Sequence, residues 1–246
     1  MPAGKFEGIY KDLASKVTDG KYERGTFLPS ENQLKEIYGC SRNTIRRALS
    51  LLASQGYVQA IHGKGVQVIY QPVKQAHFIV GGIESFTESA KRNRLHTKTK
   101  VIKFTDLTVD EHTAGRTGFQ VGDEVWYIQR IRMIDQKPVI LDINVFLKSE
   151  TPGLTEDIAS HSIYEYLEND LHMQITTSKR RITAERATEM DTELLDLKDY
   201  DFIAAVTSQT YNSRGIMFEW TQSRHRPDYF EFFDTASRKT AAEINI

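Results

Sequence analysis

The sequence predicts an α+β protein with two domains, an N-terminal winged helix-turn-helix domain and a C-terminal antiparallel sheet domain with helices. Two observations predict this fold class. Apolar residues recur at helical spacing in three segments before residue 56, and an alternating hairpin pattern follows them. Beyond residue 78, alternating strand patterns predominate, and several are joined by short turns. With 246 residues, the chain is long enough for two domains, each with its own core.

The first two helices have clear boundaries. The segment FEGIYKDLASKVTDG has apolar residues at helical spacing and ends at Gly20. The second helix begins at Ser30, an N-cap residue with Gln33 at the capping-box position, and its apolar face is formed by Leu34 and Ile37. A tight turn then leads into a third helix, as in a helix-turn-helix pair.

The third helix, predicted from SRNTIRRALSLLASQG, has a cationic edge opposite an apolar stripe. In a helix-turn-helix, the second helix of the pair lies in the major groove. There arginine reads guanine, and hydroxyl or amide groups reach bases and phosphates. The pattern therefore predicts a surface that binds double-stranded DNA, formed by Ser30, Ser41, Arg42, Asn43, Thr44, Arg46 and Arg47.

A β-hairpin is predicted from YVQAIHGKGVQVIY, which alternates, turns at HGKG and alternates again. A lysine between glycines can approach a phosphate backbone or minor groove closely. The tip of this wing therefore adds His62, Lys64 and Gly65 to the predicted DNA-binding surface. We place the first domain at residues 1–70, a linker at 71–77 and the second domain at 78–246.

Composition favours a cytoplasmic protein that contacts a polyanion through its first domain. Residues 1–76 contain 11 Lys and Arg residues against 6 Asp and Glu, and the remainder contains 21 against 27. No apolar run reaches the length of a membrane span, and the start of the chain has no signal-peptide pattern. We therefore expect no contact with a membrane. The single cysteine, Cys40, cannot form a disulfide within the chain.

The second domain is predicted to place helices on one face of an antiparallel sheet. Helices are indicated at FTESAKRN, SHSIYEYLENDL and TEMDTELLDL, and hairpins turn at DQKP and NSRG. Arg130 and Arg132 lie two residues apart on one strand and so point to the same face, where they could hold an anion bidentately. Arg224 and Arg226 repeat this spacing. Salt bridging, for instance between Arg130 and Asp142, is an alternative that the residues alone leave open.

The segment LPSENQLKEIYGCSRNTIRRALSLLASQGYVQAIHGKGVQV resembles the DNA-binding domain of GntR-family transcription regulators. The stretches SFTE, IQRIR, SIYEYLE and ELLDL resemble the effector-binding UTRA domain of the HutC branch, whose fold is chorismate-lyase-like. Within this branch the chain is most similar to the trehalose operon repressors of Gram-positive bacteria. The resemblance implies a homodimeric repressor that binds operator DNA, is released by trehalose 6-phosphate, and uses no cofactor or metal.

The resemblance also implies an effector site. In relatives that bind sugar phosphates, the Arg-x-Arg pair, the Thr of SFTE and the Ser and Tyr of SIY hold the ligand, and carboxylates suit sugar hydroxyls. Amino-sugar-sensing relatives carry an arginine where this chain has Thr177, which implies a different sugar. The residues assigned to the effector site are Ser85, Phe86, Thr87, Arg130, Arg132, Asp142, Ser162, Tyr164, Glu219 and Arg224.

Two alternatives remain open at this point. One is a HutC-type regulator that responds to another ligand, such as an amino-sugar phosphate or a carboxylic metabolite. The other is a chorismate-lyase-like enzyme. The seven histidines are scattered and form no catalytic or metal-ligand pattern. Since a shared fold does not carry a function, the DNA-binding module favours sensing, and we expect no enzymatic activity.

Overall fold

The structure is a computed structural model that describes residues 5–71, 78–79 and 83–233. The chain divides into two compact units, with residues 5–71 in the first and the later described residues in the second. Of the predicted linker, only Gln71 lies within the described residues. None of the helices in these ranges is long and apolar enough to cross a bilayer.

The first unit is a winged helix-turn-helix, as the sequence predicts. Its apolar residues form a single core, in which Leu13, Ile45 and Leu52 are completely buried. This core fixes the third helix against the other two, so that its polar edge faces outward. The elements are α1 (Lys5–Thr18), α2 (Glu31–Tyr38), α3 (Arg42–Ser54) and the antiparallel hairpin of β1 (Val58–Ile61) and β2 (Gly65–Val68).

The capping residues of α2 are those that the sequence indicates. The Ser30 hydroxyl accepts a hydrogen bond from the Gln33 backbone N–H, and the Gln33 side chain accepts one from the Ser30 backbone N–H. At the other end of α2, Gly39 adopts φ 54°, in the left-handed region that favours glycine. The turn into α3 is therefore tight.

One side chain of α2 does not lie where the sequence predicts. Ile37 is 60% exposed, whereas Tyr38 packs against the core and its hydroxyl donates a hydrogen bond to Asp12 of α1. Leu34 and Tyr38 are four residues apart and share one face of this short helix, and Ile37 lies at the border of that face.

The second unit contains a six-stranded antiparallel sheet. Its strand order is β4–β5–β6–β9–β8–β7, so hairpins β5–β6 and β8–β9 meet at its centre. The strands are β4 (Thr97–Thr108), β5 (Glu124–Ile134), β6 (Lys137–Leu147), β7 (Ile175–Arg186), β8 (Phe202–Asn212) and β9 (Met217–His225). A separate parallel pair joins β3 (Phe78–Ile79) to β10 (Phe232–Phe233).

Helices pack on both faces of this sheet, so the expectation of helices on one face is wrong. They are α4 (Phe86–Arg92), α5 (Glu111–Thr117), α6 (Glu156–Ser160), α7 (Ile163–Asn169) and α8 (Glu189–Leu194). Ile128 and Phe146 pack under α6 and α7. On the opposite face, Ile143 packs with α5 and Leu141 with α8. The cause is strand β6, in which eight successive residues are buried, so that both faces of the sheet need cover there.

Candidate functional site

Two exposed arginines at the start of α3 are oriented by a carboxylate of α2. The Nε of Arg42 donates a hydrogen bond of 2.6 Å to Glu31, and the Nε of Arg46 lies 3.7 Å from the other Glu31 oxygen. The arginine side chains are 69% and 70% exposed. They remain accessible to a duplex while Glu31 limits their rotamers.

The other predicted DNA-facing residues of this helix have different surroundings. The Arg47 guanidinium lies 4.2 Å from the ring centroid of Phe6 in α1, a cation–π contact. The Ser41 hydroxyl caps α3 by accepting from the Thr44 backbone N–H, and the two hydroxyls lie 2.8 Å apart. Asn43 is exposed on the first turn. Ser30 is likewise a capping residue, so two of the predicted residues, Ser30 and Ser41, fix the starts of α2 and α3.

The wing tip has the glycine conformations that its sequence predicts. Gly63 has φ 73° and Gly65 has φ 121°, values that residues with a Cβ rarely adopt. His62 and Lys64 are exposed on this turn. The tip is therefore narrow and carries one lysine toward solvent.

A cavity lies on one face of the six-stranded sheet. Strands β5 to β9 form its floor, and α4 and the start of α7 close its sides. Nine of the ten residues that we assigned to the effector site line this cavity, and the exception is Arg224. The nine are Ser85, Phe86, Thr87, Arg130, Arg132, Asp142, Ser162, Tyr164 and Glu219.

Arg224 lies on the opposite face of the sheet, so its assignment to the effector site is corrected. Its Nε and Nη2 each donate a 2.7 Å hydrogen bond to Asp191, and its Nη1 donates one of 2.8 Å to Glu185. Because side chains alternate along a strand, the neighbours Ser223 and His225 line the cavity instead.

Asp191→Ala is expected to lower the free energy of unfolding by about 3–5 kcal/mol, because it leaves a buried guanidinium without its main partner. Asp191 has no exposed surface, and both of its oxygens accept hydrogen bonds from Arg224. Urea denaturation measures the effect. Asp106→Ala, which breaks an exposed pair with Lys148, is the control. A loss no larger than that of the control would contradict the structural role of the Arg224–Asp191 pair.

Arg132 makes the closest ion pair of Asp142 in the cavity. Its Nε donates a 2.8 Å hydrogen bond to Asp142, whose other oxygen accepts one of 2.6 Å from Ser223. Burial raises the pKa of Asp142, but the charges of Arg132 and Arg130 outweigh it and hold the pKa below its ordinary value. Asp142 therefore forms its salt bridge mainly with Arg132, because the nearest nitrogen of Arg130, Nη2, lies 3.8 Å from the Asp142 carboxylate.

Arg130 retains hydrogen-bonding capacity toward the cavity. Its Nε donates to the Asn144 side chain at 3.0 Å and its Nη1 to the Ala159 carbonyl at 3.3 Å. A guanidinium has five N–H donors, and the described residues accept hydrogen bonds from only these two of its nitrogens. Burial and the charge of Arg132 lower the pKa of Arg130 to about 9, so it remains cationic at neutral pH.

Glu219 supplies a hydrogen-bond acceptor at the cavity floor. It accepts hydrogen bonds from the hydroxyls of Tyr164 at 2.5 Å and Thr221 at 2.7 Å. Burial raises the pKa of Glu219, although these hydrogen bonds act in the opposite direction. Carboxylate oxygens in this setting suit sugar hydroxyls. Among residues 5–71, 78–79 and 83–233, no cluster of His, Cys, Asp and Glu could hold a metal ion.

Strand β7 contributes cavity residues that sequence reasoning missed. Ser178 and Arg180 line the cavity, whereas Thr177 is exposed and does not. Thr177, where amino-sugar-sensing relatives carry an arginine, therefore lies outside this cavity. Ser208 of β8 and His225 of β9 also line the floor. The alternation of side chains along a strand predicts that each of these residues points to the face opposite to that of its two chain neighbours. It does not predict which of the two faces carries the cavity.

His225 is expected to make the protein less stable as the pH falls from about 6.5 to about 4. Burial lowers the pKa of His225 to about 4, with Asp142 acting in the opposite direction. The unfolded state, with an ordinary pKa near 6.5, then binds more protons in this window. Between pH 7 and pH 5 the wild type should lose about 2 kcal/mol more than His225→Gln. Urea titrations at both pH values test this, and equal losses would contradict it.

Known proteins match both units of the chain. Residues 5–68 match the gntR family of bacterial regulatory proteins, and residues 92–231 match the UTRA domain. The chain is 40% identical to the HTH-type transcriptional regulator TreR of Bacillus subtilis, over 97% of this chain and 99% of that protein. It is 28% identical to GmuR of the same species, over 92% of this chain and 95% of that protein.

Two solved structures resemble the fold. The effector binding domain of the B. subtilis trehalose repressor (TreR) matches with a TM-score of 0.53 and 38% identity, over 58% of this chain and 99% of that one. The possible transcriptional regulator YydK of B. subtilis matches with a TM-score of 0.78 and 20% identity, over 96% of this chain and 100% of that one. The latter supports the fold alone. With the family matches, these findings show that the chain belongs to the GntR family of bacterial regulatory proteins and is a DNA-binding transcription regulator with a UTRA domain rather than an enzyme.

Proposed function

We propose that this protein represses a trehalose-utilisation operon and that trehalose 6-phosphate, bound in the UTRA cavity, releases it from the operator. In this proposal the protein acts in the cytoplasm as a homodimer. Each α3 enters one major groove of a pseudo-palindromic operator whose half-sites lie about one helical turn, or a multiple of it, apart. The 40% sequence identity to TreR, whose effector domain is described as that of a trehalose repressor, supports this choice of operon.

The buried guanidinium pair is the observation that carries the ligand assignment. Arg130 and Arg132 are 4% and 6% exposed and face a cavity that the hydroxyls of Thr87 and Ser162 also line. Guanidinium and hydroxyl donors together suit a phosphate group. Glu219 supplies an acceptor for sugar hydroxyls in the same cavity. A phosphorylated sugar therefore satisfies both kinds of group.

Release requires that the ligand bind one arrangement of the dimer better than the other. A coupling free energy of about 1–3 kcal/mol corresponds to a roughly 5- to 150-fold loss of operator affinity. The operator in turn lowers the affinity for the ligand by the same factor. Both directions of this linkage are measurable on the purified protein.

Fluorescence anisotropy with the DNA upstream of the protein's own operon tests the proposal. We expect specific binding at moderate salt, and release by trehalose 6-phosphate but not by trehalose. Glucosamine 6-phosphate belongs in the panel because Thr177 lies outside the cavity. Release by that compound alone would favour an amino-sugar sensor. Binding no tighter than to random duplex would contradict the proposal entirely.

A further inference from the structure

Arg226 follows β9 and has no exposed surface. Its guanidinium holds Asp228 through two hydrogen bonds, of 3.0 Å from Nε and 2.7 Å from Nη2. The guanidinium also lies 5.1 Å from the ring centroid of Tyr229, and its Nη1 lies 3.8 Å from Asp196. Burying such a cation is costly unless its partners are well placed. The two hydrogen bonds to Asp228 therefore tie Arg226 to the turn that follows it.

This segment connects the cavity to the parallel strand pair. Arg226 directly precedes a single helical turn, Pro227–Tyr229, which contains Asp228, and the Arg226 backbone N–H donates to the Val139 carbonyl at 2.9 Å. The next residue, Phe230, lines the cavity, with its ring centroid 5.0 Å from that of His225. Two residues later the chain enters β10.

Strand β3, which pairs with β10, is separated by only a few residues of chain from residues that line the cavity. Phe232 and Phe233 pair in parallel with Phe78 and Ile79 of β3. Strand β3 begins directly after residue 77, the last of the predicted linker, and residues 83–87 all line the cavity. Both strands of this pair thus adjoin cavity walls within a few residues.

We propose that Arg226 is a positioning residue for regulation, which through Asp228 couples occupancy of the cavity to the β3–β10 pair at the start of the effector domain. The inference rests on the proposed function. A ligand that contacts Phe230 displaces β10, two residues further along the chain, only if the turn that precedes Phe230 does not yield. When the turn is loosened, the ligand still binds, but the shift is absorbed within the turn.

Asp228→Asn and Arg226→Lys weaken this pair with little change of volume. The control is Asp191→Asn, which removes the same charge from the buried Arg224–Asp191 pair outside the cavity. For each protein, calorimetry gives the Kd of trehalose 6-phosphate, and anisotropy gives the operator Kd with and without saturating ligand. We expect both test variants to bind the ligand, and the operator without ligand, with Kd values within about threefold of wild type. The ratio of the operator Kd with saturating ligand to the operator Kd without ligand should fall at least about fivefold. Asp191→Asn should keep the wild-type ratio.

An unchanged ratio in both test variants, or an equal fall in Asp191→Asn, would overturn the inference. If the wild type itself is not released by trehalose 6-phosphate, the proposed function fails instead. Hydrogen exchange of the ligand-free proteins then decides the positioning role. Faster exchange at residues 78–79 and 230–233 in Asp228→Asn than in Asp191→Asn supports it, and equal exchange rejects it.

Discussion

The Arg130→Ala variant is expected to bind operator DNA with wild-type affinity but to need about a hundredfold more trehalose 6-phosphate for release. Hydrogen bonds to charged groups contribute about 1.5–3 kcal/mol each, and Arg130 lines the cavity with an Nη2 that donates no hydrogen bond to the described residues. The operator surface lies in the other unit, so its affinity should not change. Anisotropy at increasing ligand concentration measures both quantities.

A matched pair of lysine variants separates ligand binding from general destabilisation. Arg130→Lys and Arg224→Lys make the same change at arginines that are 4% and 6% exposed, but only Arg130 faces the cavity. Lysine cannot reproduce bidentate binding of a phosphate. We expect weaker release only for Arg130→Lys. Release of Arg130→Ala at wild-type ligand concentrations would show that the cavity assignment is wrong.

Arg46→Ala is expected to weaken operator binding about 5- to 150-fold, because a bidentate arginine contact to a base contributes about 1–3 kcal/mol. Arg47→Ala should have a smaller effect, since its guanidinium is turned toward the ring of Phe6. Anisotropy on operator and scrambled duplexes measures the loss and its sequence dependence. The Arg46 variant should lose most of its preference for the operator.

Lys64→Ala provides the contrast for this experiment. A wing lysine that contacts phosphate should weaken binding to both duplexes alike and reduce the slope of log K against log salt by about 1. If Arg46→Ala behaves in the same way, with an equal loss on both duplexes, α3 does not read bases through Arg46.

Much of the first unit could be predicted from local sequence, because the ends of its helices and strands depend on residues only a few positions away. The Ser30–Gln33 capping box and the glycines of the wing act within a few positions. Ile37 was misplaced because α2 is only eight residues long, so packing against α1 decided whether Ile37 or Tyr38 turned inward. Helices α5 and α6 escaped prediction because neither contains two apolar residues four positions apart, whereas the predicted helices α4, α7 and α8 each do.

The cavity could be predicted only in part. Residues of α4, β5 and α7 were assigned through the resemblance to known regulators, and they line one cavity. The error at Arg224 and the omission of Arg180 have one cause. Alternation along a strand gives two sets of side chains, and only the pairing of distant strands decides which set faces the ligand.

The carboxylate of Glu31 has a consequence for the search along a genome. It forms ion pairs with Arg42 and Arg46 in the DNA-free protein. Its negative charge also repels the phosphates of every DNA sequence equally. In the proposed major-groove complex, guanine edges of the operator would replace Glu31 as partners of these arginines, whereas a random site would gain little from them. Under this proposal the regulator would leave sites without an operator sooner and spend less time on the many non-specific positions of a genome.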